Sequence, residues 1–358
     1  MDTKRIRVLH VVKGLGLGGT EKVMQLLALG LNAARFEVAV YSPADGERRR
    51  FLAEAGLPVF IGGDLLSVLT RFAPHLAHIH RAGWPEPEIL RPFKLARTPA
   101  VVETNVFGRH DPSPSAALID RHLFVSEFCA RRFEQTTGLP FGPPLYQMLY
   151  NPVDTDFFAQ ACPKDRDFSR PVLGRISRPD PGKWSALALD ILPILARRLP
   201  GVRYHIIGAL PEALDFFRGQ GLMDHVRVLP PALDEADLAA FFSPLSVLAH
   251  ANDTGESFGL VIAEAMAAGL PVVTHPCPGL KDNAQLELVE HGITGLHAAT
   301  AEEYAGAVAW LFENPDQARE MGRRGQEKAA RLYRVQNMAA QLEDIYLDVL
   351  SRKGVTLP

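Results

Sequence analysis

The sequence predicts an α/β chain of two successive doubly wound domains that face each other across a cleft. Three observations carry this expectation. Short apolar runs rich in β-branched residues alternate with helical spacing along nearly the whole chain, as in parallel sheets covered by helices. The alternation stops once, in a proline-rich stretch from Leu139 to Val153 and the polar residues 159–171, and then restarts. The 358 residues, 47% of them apolar, are enough for two cores of ordinary size.

In the first series, Ile6–Val12 is a short apolar run closed by glycines and reads as a buried strand. Gly14–Gly19 reads as a loop. Glu21–Leu31 then repeats Val23, Leu26, Leu27 and Leu31 at helical spacing. Further strands are expected at Val38–Ser42, Val59–Ile61, Ala77–His80, Ala100–Glu103 and His122–Val125. The second series places strands at Val172–Ile176, Val202–Ile207, Val226–Leu229, Val247–Ala249 and Val272–Thr274. Its helices are expected at 184–198, 210–219, 235–242, 258–268, 302–313 and 315–331. Residues 334–350 carry Val335, Met338, Leu342, Ile345, Tyr346 and Val349 at spacings of three and four, an amphipathic helix. The domain boundary is placed near residue 165. The first domain is therefore 1–165, the second 166–334, and residues 335–358 form a terminal helix packing back on the first.

Composition excludes several classes. Net charge is −3, with neither half strongly basic, so nucleic acid is not an expected partner. Three scattered cysteines (Cys129, Cys162, Cys277) form neither a disulfide framework nor a zinc cluster, and they suit a reducing compartment. No apolar run reaches the roughly 18 residues of a membrane span. The start, MDTKRIRVLHVVKGLG, has too short an apolar stretch for a signal peptide. A cytoplasmic protein is expected. Arg48-Arg49-Arg50 reads as a solvated face or, more specifically, as a peripheral contact with an anionic membrane surface or a polyanionic acceptor.

Gly14-Leu-Gly16-Leu-Gly18-Gly19 fits G-x-G-x-x-G between a strand and a helix, where backbone N–H groups can approach a phosphate. A dinucleotide site also needs a carboxylate at the end of the second strand, to hold a ribose. That strand ends in Ser42-Pro43, which argues against an NAD(P)-dependent oxidoreductase.

The strongest signal is TGESFGLVIAEAMAAGLPVVTHP at 254–276. A helix beginning near Phe258 turns its free N–H groups toward the loop holding Glu256, where an anionic or hydroxyl-rich ligand fits. Glu264 follows two turns along and can reach a ribose. Two solvated glutamates on a capped helix are the plain alternative. Asp154-Thr-Asp156 imitates a metal-binding D-x-D, but its place in a turn suits aspartates bonding their own backbone. No metal is expected.

The block from Glu256 to Val273 resembles the E-x7-E signature of retaining GT-B glycosyltransferases of family 4. Further segments resemble the family in the same order. They are Gly18-Gly19-Thr20-Glu21, Pro74-His-Leu-Ala-His78-Ile-His80, Phe124-Val-Ser126, Asn151-Pro-Val153-Asp154, Gly174-Arg175-Ile176, Ile206-Ile207-Gly208 and Gly292-Ile-Thr294-Gly295-Leu296. The resemblance covers residues 8–350.

It implies GT-B architecture, two Rossmann-like domains with the C-terminal helix crossing back to the first. It also implies metal-independent transfer, with retention, of a sugar from a UDP-, GDP- or ADP-sugar to a glycan, lipid-linked or small-molecule acceptor, with no cofactor. On the family's pattern Arg175 and Lys183 neutralise the departing diphosphate, with Arg178 between them. Glu264 accepts bonds from the ribose. Glu256, with Ser257 and the backbone of Phe258, Gly259 and Leu260, holds the sugar and its phosphate. Gly18 and Gly19 lie under the donor phosphates, with Thr20, His80 and Asn105 on the acceptor side.

Two departures from the family pattern stand out. Lys183 follows Arg175 by eight residues, more than the family's spacing. Val106 also stands where the family often has an active-site histidine, so His110 or Asn105 takes that place, or the contact is missing. A catalytically silent nucleotide-sugar binding protein of the same fold is the alternative those departures suggest.

Overall fold

The computed structural model describes residues 5–357; residues 1–4, part of the N-terminal reading above, lie outside them. The chain divides into two compact units, residues 1–152 with 335–358, and residues 153–334.

The first unit is built on a parallel sheet of seven strands. They are β1 (Ile6–Val11), β2 (Phe36–Ser42), β3 (Val59–Ile61), β4 (Leu76–Arg81), β5 (Ala100–Asn105), β6 (Arg121–Phe124) and β7 (Tyr146–Met148). Their order is β3-β2-β1-β4-β5-β6-β7, so the chain reverses its direction of winding between β1 and β4. Strand alternation divides the core. Leu9, Val11, Ala39, Tyr41 and Ile79 pack with Leu69, Leu90 and Phe93 on one face. On another, Val12, Leu15 and Val40 pack with Met24, Ala28 and Leu52. The terminal helix Val335–Arg352 belongs to this unit, packing along helix Gly19–Gly30 and burying Met338, Leu342, Ile345, Tyr346 and Val349.

The second unit has a six-stranded parallel sheet in the order β10-β9-β8-β11-β12-β13. Its strands are β8 (Val172–Ile176), β9 (Arg203–Ile207), β10 (Val226–Leu229), β11 (Val247–Ala249), β12 (Val272–Thr274) and β13 (Gly295–His297). Winding reverses here between β8 and β11. A core of Leu173, Ile191, Tyr204, Phe217, Val247 and Tyr304, among others, fills one side of this sheet. Both units therefore have the Rossmann-like order, which leaves a crevice at the carboxyl ends of the two strands flanking the reversal.

The structure departs from the sequence reading in several places. The division falls after Pro152 rather than near 165, because helix Thr155–Ala161 packs on helices of the second unit and Arg334 forks onto Asp156 at 2.7 Å. Strands β7 and β13 were not expected. Each is three residues long, and β13 is opened by a glycine, too little for an alternating pattern to show. The helix of the E-x7-E block begins at Leu260, not near Phe258, with Gly259 in a left-handed conformation at its cap.

The run Arg48–Arg50 is not a bare basic face. Arg48 is buried and bonds Gln25, Arg49 pairs with Asp45 at 2.7 Å, and Arg50 lies 3.9 Å from Glu54. Among the described residues no helix is long and apolar enough to cross a membrane.

Candidate functional site

In the second unit a cluster of polar side chains gathers at the reversal point. Arg175 leaves β8 one residue before its end and is 1% exposed. Its guanidinium donates from Nη1 to the Ala251 carbonyl at 2.5 Å and from Nη2 to the Lys183 carbonyl, and it stacks on Trp184 with its carbon 4.4 Å from the ring centre. Arg175 thereby ties the 177–184 loop to the segment after β11. Burial pulls its pKa down, against the opposing influence of Tyr204, Tyr304 and Glu256. It remains charged at any physiological pH.

The segment after β11 presents Glu256. One carboxylate oxygen, Oε1, accepts from Lys183 Nζ at 3.0 Å and Asn252 Nδ2 at 2.6 Å, with His250 Nε2 at 3.2 Å. Burial alone raises the carboxyl pKa, but the His250 hydrogen bond and the Lys183 charge outweigh it and hold the group at about 2. Burial lowers the pKa of His250, leaving a neutral ring whose Nε2–H donates to the carboxylate.

The loop is fixed from behind. Glu256 N–H donates to Gln285 Oε1 at 3.0 Å, and Ala284 N–H donates to the Glu256 carbonyl at 2.9 Å. Gly255 has φ +69°, and a Cβ there stands 1.6 Å from the Asp282 carbonyl oxygen. Only glycine satisfies both constraints.

Arg175, Lys183 and Glu256, far apart in sequence, are thus brought into one hydrogen-bonded cluster. Glu264, on helix Leu260–Ala267, is 2% exposed. Ser257 and Phe258 are buried, with the Phe258 ring edge-on to Tyr333, and Leu260 is half-buried. Arg178 is exposed. Sequence reasoning missed His250, Asn252 and Gln285. The first two stand six and four residues before Glu256, at the end of a strand, which was a usable signal. Gln285 arrives from the start of the short helix Gln285–Leu288, 29 residues on.

The first unit holds the remaining sites. Gly18 caps helix Gly19–Gly30, Gly19 is exposed with nothing within 4 Å of a Cβ position, and Thr20 is half-buried. Ser42 is buried and bonds Ala44, with no carboxylate at the end of β2. Asn105 is 1% exposed, and its amide clamps the Arg109 backbone from both sides, at 2.8 and 3.1 Å. His110 is exposed, with its ring 6.0 Å from Phe133. Val106, at the position of the family histidine, is half-buried.

His80 is interior. It stacks with His10 and His78, and the three rings have nitrogens within 4.8 Å of one another, close enough for one metal ion. They already form a hydrogen-bonded chain, however. His10 Nδ1 meets His80 Nε2 at 3.0 Å, and His78 bonds Tyr346 OH at 2.6 Å and Thr104 Oγ1 at 2.8 Å. No carboxylate joins this chain among the described residues. Spacing could not reveal the trio, because the β1–β4 register places His10 beside His78. The aspartates of Asp154-Thr-Asp156 are both engaged. Asp154 caps helix Thr155–Ala161 and Asp156 pairs with Arg334.

Residues 170–314 match the family described as glycosyl transferases group 1. The chain is 32% identical over 240 residues to the GDP-mannose-dependent alpha-(1-6)-phosphatidylinositol monomannoside mannosyltransferase of Mycobacterium tuberculosis, covering 62% of this chain and 60% of that one. It is 35% identical over 207 residues to the phosphatidyl-myo-inositol mannosyltransferase of the same species, covering 55% and 52%. The chain thus spans between half and two thirds of the length of these relatives. Among solved structures it resembles Anabaena HepE in complex with UDP-glucose, with a TM-score of 0.77, 20% identity and 96% and 99% of the two chains covered. It also resembles sucrose-phosphate synthase from Thermosynechococcus elongatus, with a TM-score of 0.72, 16% identity and 97% and 100% covered. Residues 170–314 are thus similar to the glycosyl transferases group 1 family, and the two Rossmann-like domains of the chain have the GT-B fold.

Proposed function

We propose that this chain transfers a sugar from a nucleotide-sugar donor to an acceptor hydroxyl with retention of configuration, without a metal. The observation that carries the reading is the Arg175–Lys183–Glu256 cluster at the point where the second sheet reverses its winding, the place where such sheets bind ligands. A departing nucleoside diphosphate gains negative charge as the bond between the sugar C1 and its phosphate oxygen breaks. Lys183, exchanging Glu256 for the phosphate, and the loop that Arg175 holds in place meet that charge. The acceptor oxygen bonds to C1 on the face the phosphate leaves, and its proton passes to the departing phosphate oxygen. Glu256, freed of Lys183 but still bonded to Asn252 and His250, accepts from a hydroxyl of the sugar. Glu264 accepts from the ribose hydroxyls.

The names of the relatives support the donor class: one uses GDP-mannose, and HepE was crystallised with UDP-glucose. The three cysteines are free and buried, in keeping with a reducing compartment.

A thermal-shift panel of UDP, GDP, ADP and their sugars tests the reading. One base is expected to stabilise the protein, by about 2.7 kcal/mol at 100 times its dissociation constant. No stabilisation by any of them contradicts it. The half-buried Val106 keeps a second reading open, a silent nucleotide-sugar binder. Slow donor hydrolysis by the pure protein separates the enzyme from the binder.

A further inference from the structure

The pairing of β1 with β4 sets His10 beside His78, and His80 follows on the same face of β4 two residues later. All three rings are interior, with exposures of 0, 0 and 3%. Imidazoles are poor core fillers, because each neutral ring carries one N–H and one lone pair and both need partners. His10 and His78 use both of their nitrogens, through His80, Tyr346 and Thr104. His80 does not. Its Nε2 meets His10 Nδ1 at 3.0 Å, while its Nδ1 is buried without a hydrogen-bond partner. A buried orphan of that kind calls for a group that the surrounding side chains do not supply.

The donor set points to what that group is. One ring nitrogen from each histidine lies within 4.8 Å of the other two. Two imidazole nitrogens on one tetrahedral Zn2+, with bonds of about 2.0–2.1 Å, stand about 3.4 Å apart. The His10–His80 pair, at 3.0 Å, therefore opens by about 0.4 Å, and a nitrogen at the 4.8 Å limit closes by about 1.4 Å. Pivoting of the rings supplies shifts of that size. Neutral imidazoles select zinc, copper or nickel over magnesium and calcium, which seek oxygen. The Tyr346 hydroxyl, on helix Val335–Arg352, stands 2.6 Å from His78 Nδ1 and 3.5 Å from His10 Nε2. Thr104 Oγ1, 2.8 Å from His78 Nε2, holds that ring from outside, as outer partners of metal-bound histidines do.

We propose that His10, His78 and His80 bind one divalent transition-metal ion, Zn2+ foremost, with Tyr346 as the fourth ligand. As the ion binds, the Tyr346 O–H bond breaks and its proton leaves to solvent, so a phenolate offsets one of the two positive charges. The ion fastens the terminal helix to β1 and β4, across the 268 residues that separate His78 from Tyr346. A metal clip over so long a stretch of chain stabilises by restricting the unfolded state. The role is structural, and no step of the transfer proposed above runs through it.

Elemental analysis of the untagged full chain, purified from cells grown with added Zn2+ and dialysed against metal-free buffer, tests this. One zinc per chain is expected. His10→Gln and His80→Gln are each expected to lose it, so the test survives if one of them does not fold. Tyr346→Phe is expected to weaken Zn2+ binding at least about tenfold. His291→Gln, which removes an exposed imidazole, is expected to keep the ion. Growth with Co2+ instead is expected to give the visible absorption of a tetrahedral site, without the thiolate band that Cys129, Cys162 or Cys277 would add. Stripping the ion with a chelator is expected to lower Tm by about 5 °C or more.

Zinc well below one equivalent in the wild type overturns the proposal, as does a thiolate band in the Co2+ spectrum. Zinc kept by both histidine variants overturns it too, since it marks surface histidines and an adventitious ion only. A Tm that ignores the chelator overturns the fastening of the helix.

Discussion

Lys183 Nζ lies 3.0 Å from Glu256 Oε1, and the same oxygen takes the amide of Asn252 and the ring N–H of His250. On the proposed reading, the cation that meets the donor phosphate is neutralised in advance by the carboxylate that meets the sugar, and donor binding separates them. Two of the three donors stay with Glu256 when Lys183 leaves, so the carboxylate is not stranded without partners.

Glu256→Gln tests the electrostatics through stability. The folded-state pKa, about 2, lies below the usual 4.5, so the charged carboxylate stabilises the fold above pH 4.5 and loses that contribution as pH falls toward 2. The difference is at most about 3 kcal/mol. Denaturant unfolding at pH 7 and pH 3.5 is expected to show the wild type's advantage over the variant shrinking at the lower pH. An advantage that is constant with pH contradicts the assignment.

Gly255→Ala is expected to damage the site from behind. Its φ of +69° and the 1.6 Å approach to the Asp282 carbonyl force the backbone beside Glu256 to shift. A destabilisation of about 1–3 kcal/mol, read as a fall in Tm, is expected together with weaker donor binding. Gly19→Ala, with nothing within 4 Å, is expected to leave Tm unchanged.

Tyr346→Phe removes the hydroxyl that bonds His78 in the buried histidine chain. The cost expected is about 1–3 kcal/mol, from a buried ring nitrogen left without its partner, and chemical denaturation measures it. The same chain predicts acid sensitivity. Burial lowers the pKa of His10 to about 3 and those of His78 and His80 well below 6.5. Below pH 6.5 the unfolded chain takes up protons that the folded one refuses, so stability falls from there toward pH 3. A first-unit stability that is flat between pH 7 and 5 contradicts this.

Much of this was legible from patterning. Every expected strand is present, since buried parallel strands are short apolar runs whatever their partners. Glu256 and Glu264 stood out because one local block contains them both. What remained hidden depends on strand order and loops. Val153 and helix Thr155–Ala161 join the second unit through Arg334, far along the chain. The histidine trio depends on β1 lying beside β4, and the engagement of Asn105 depends on the turn it clamps. Spacing along the chain carries none of these relationships.

The central claim is that Lys183 leaves Glu256 for the donor's diphosphate. Calorimetric titration of the wild type and Lys183→Ala with the cognate nucleoside diphosphate and with the corresponding nucleoside tests it most directly. The account predicts that the variant loses at least about tenfold in affinity for the diphosphate, equivalent to 1.4 kcal/mol, and keeps its affinity for the nucleoside. Equal losses for both ligands, or none for either, contradict it.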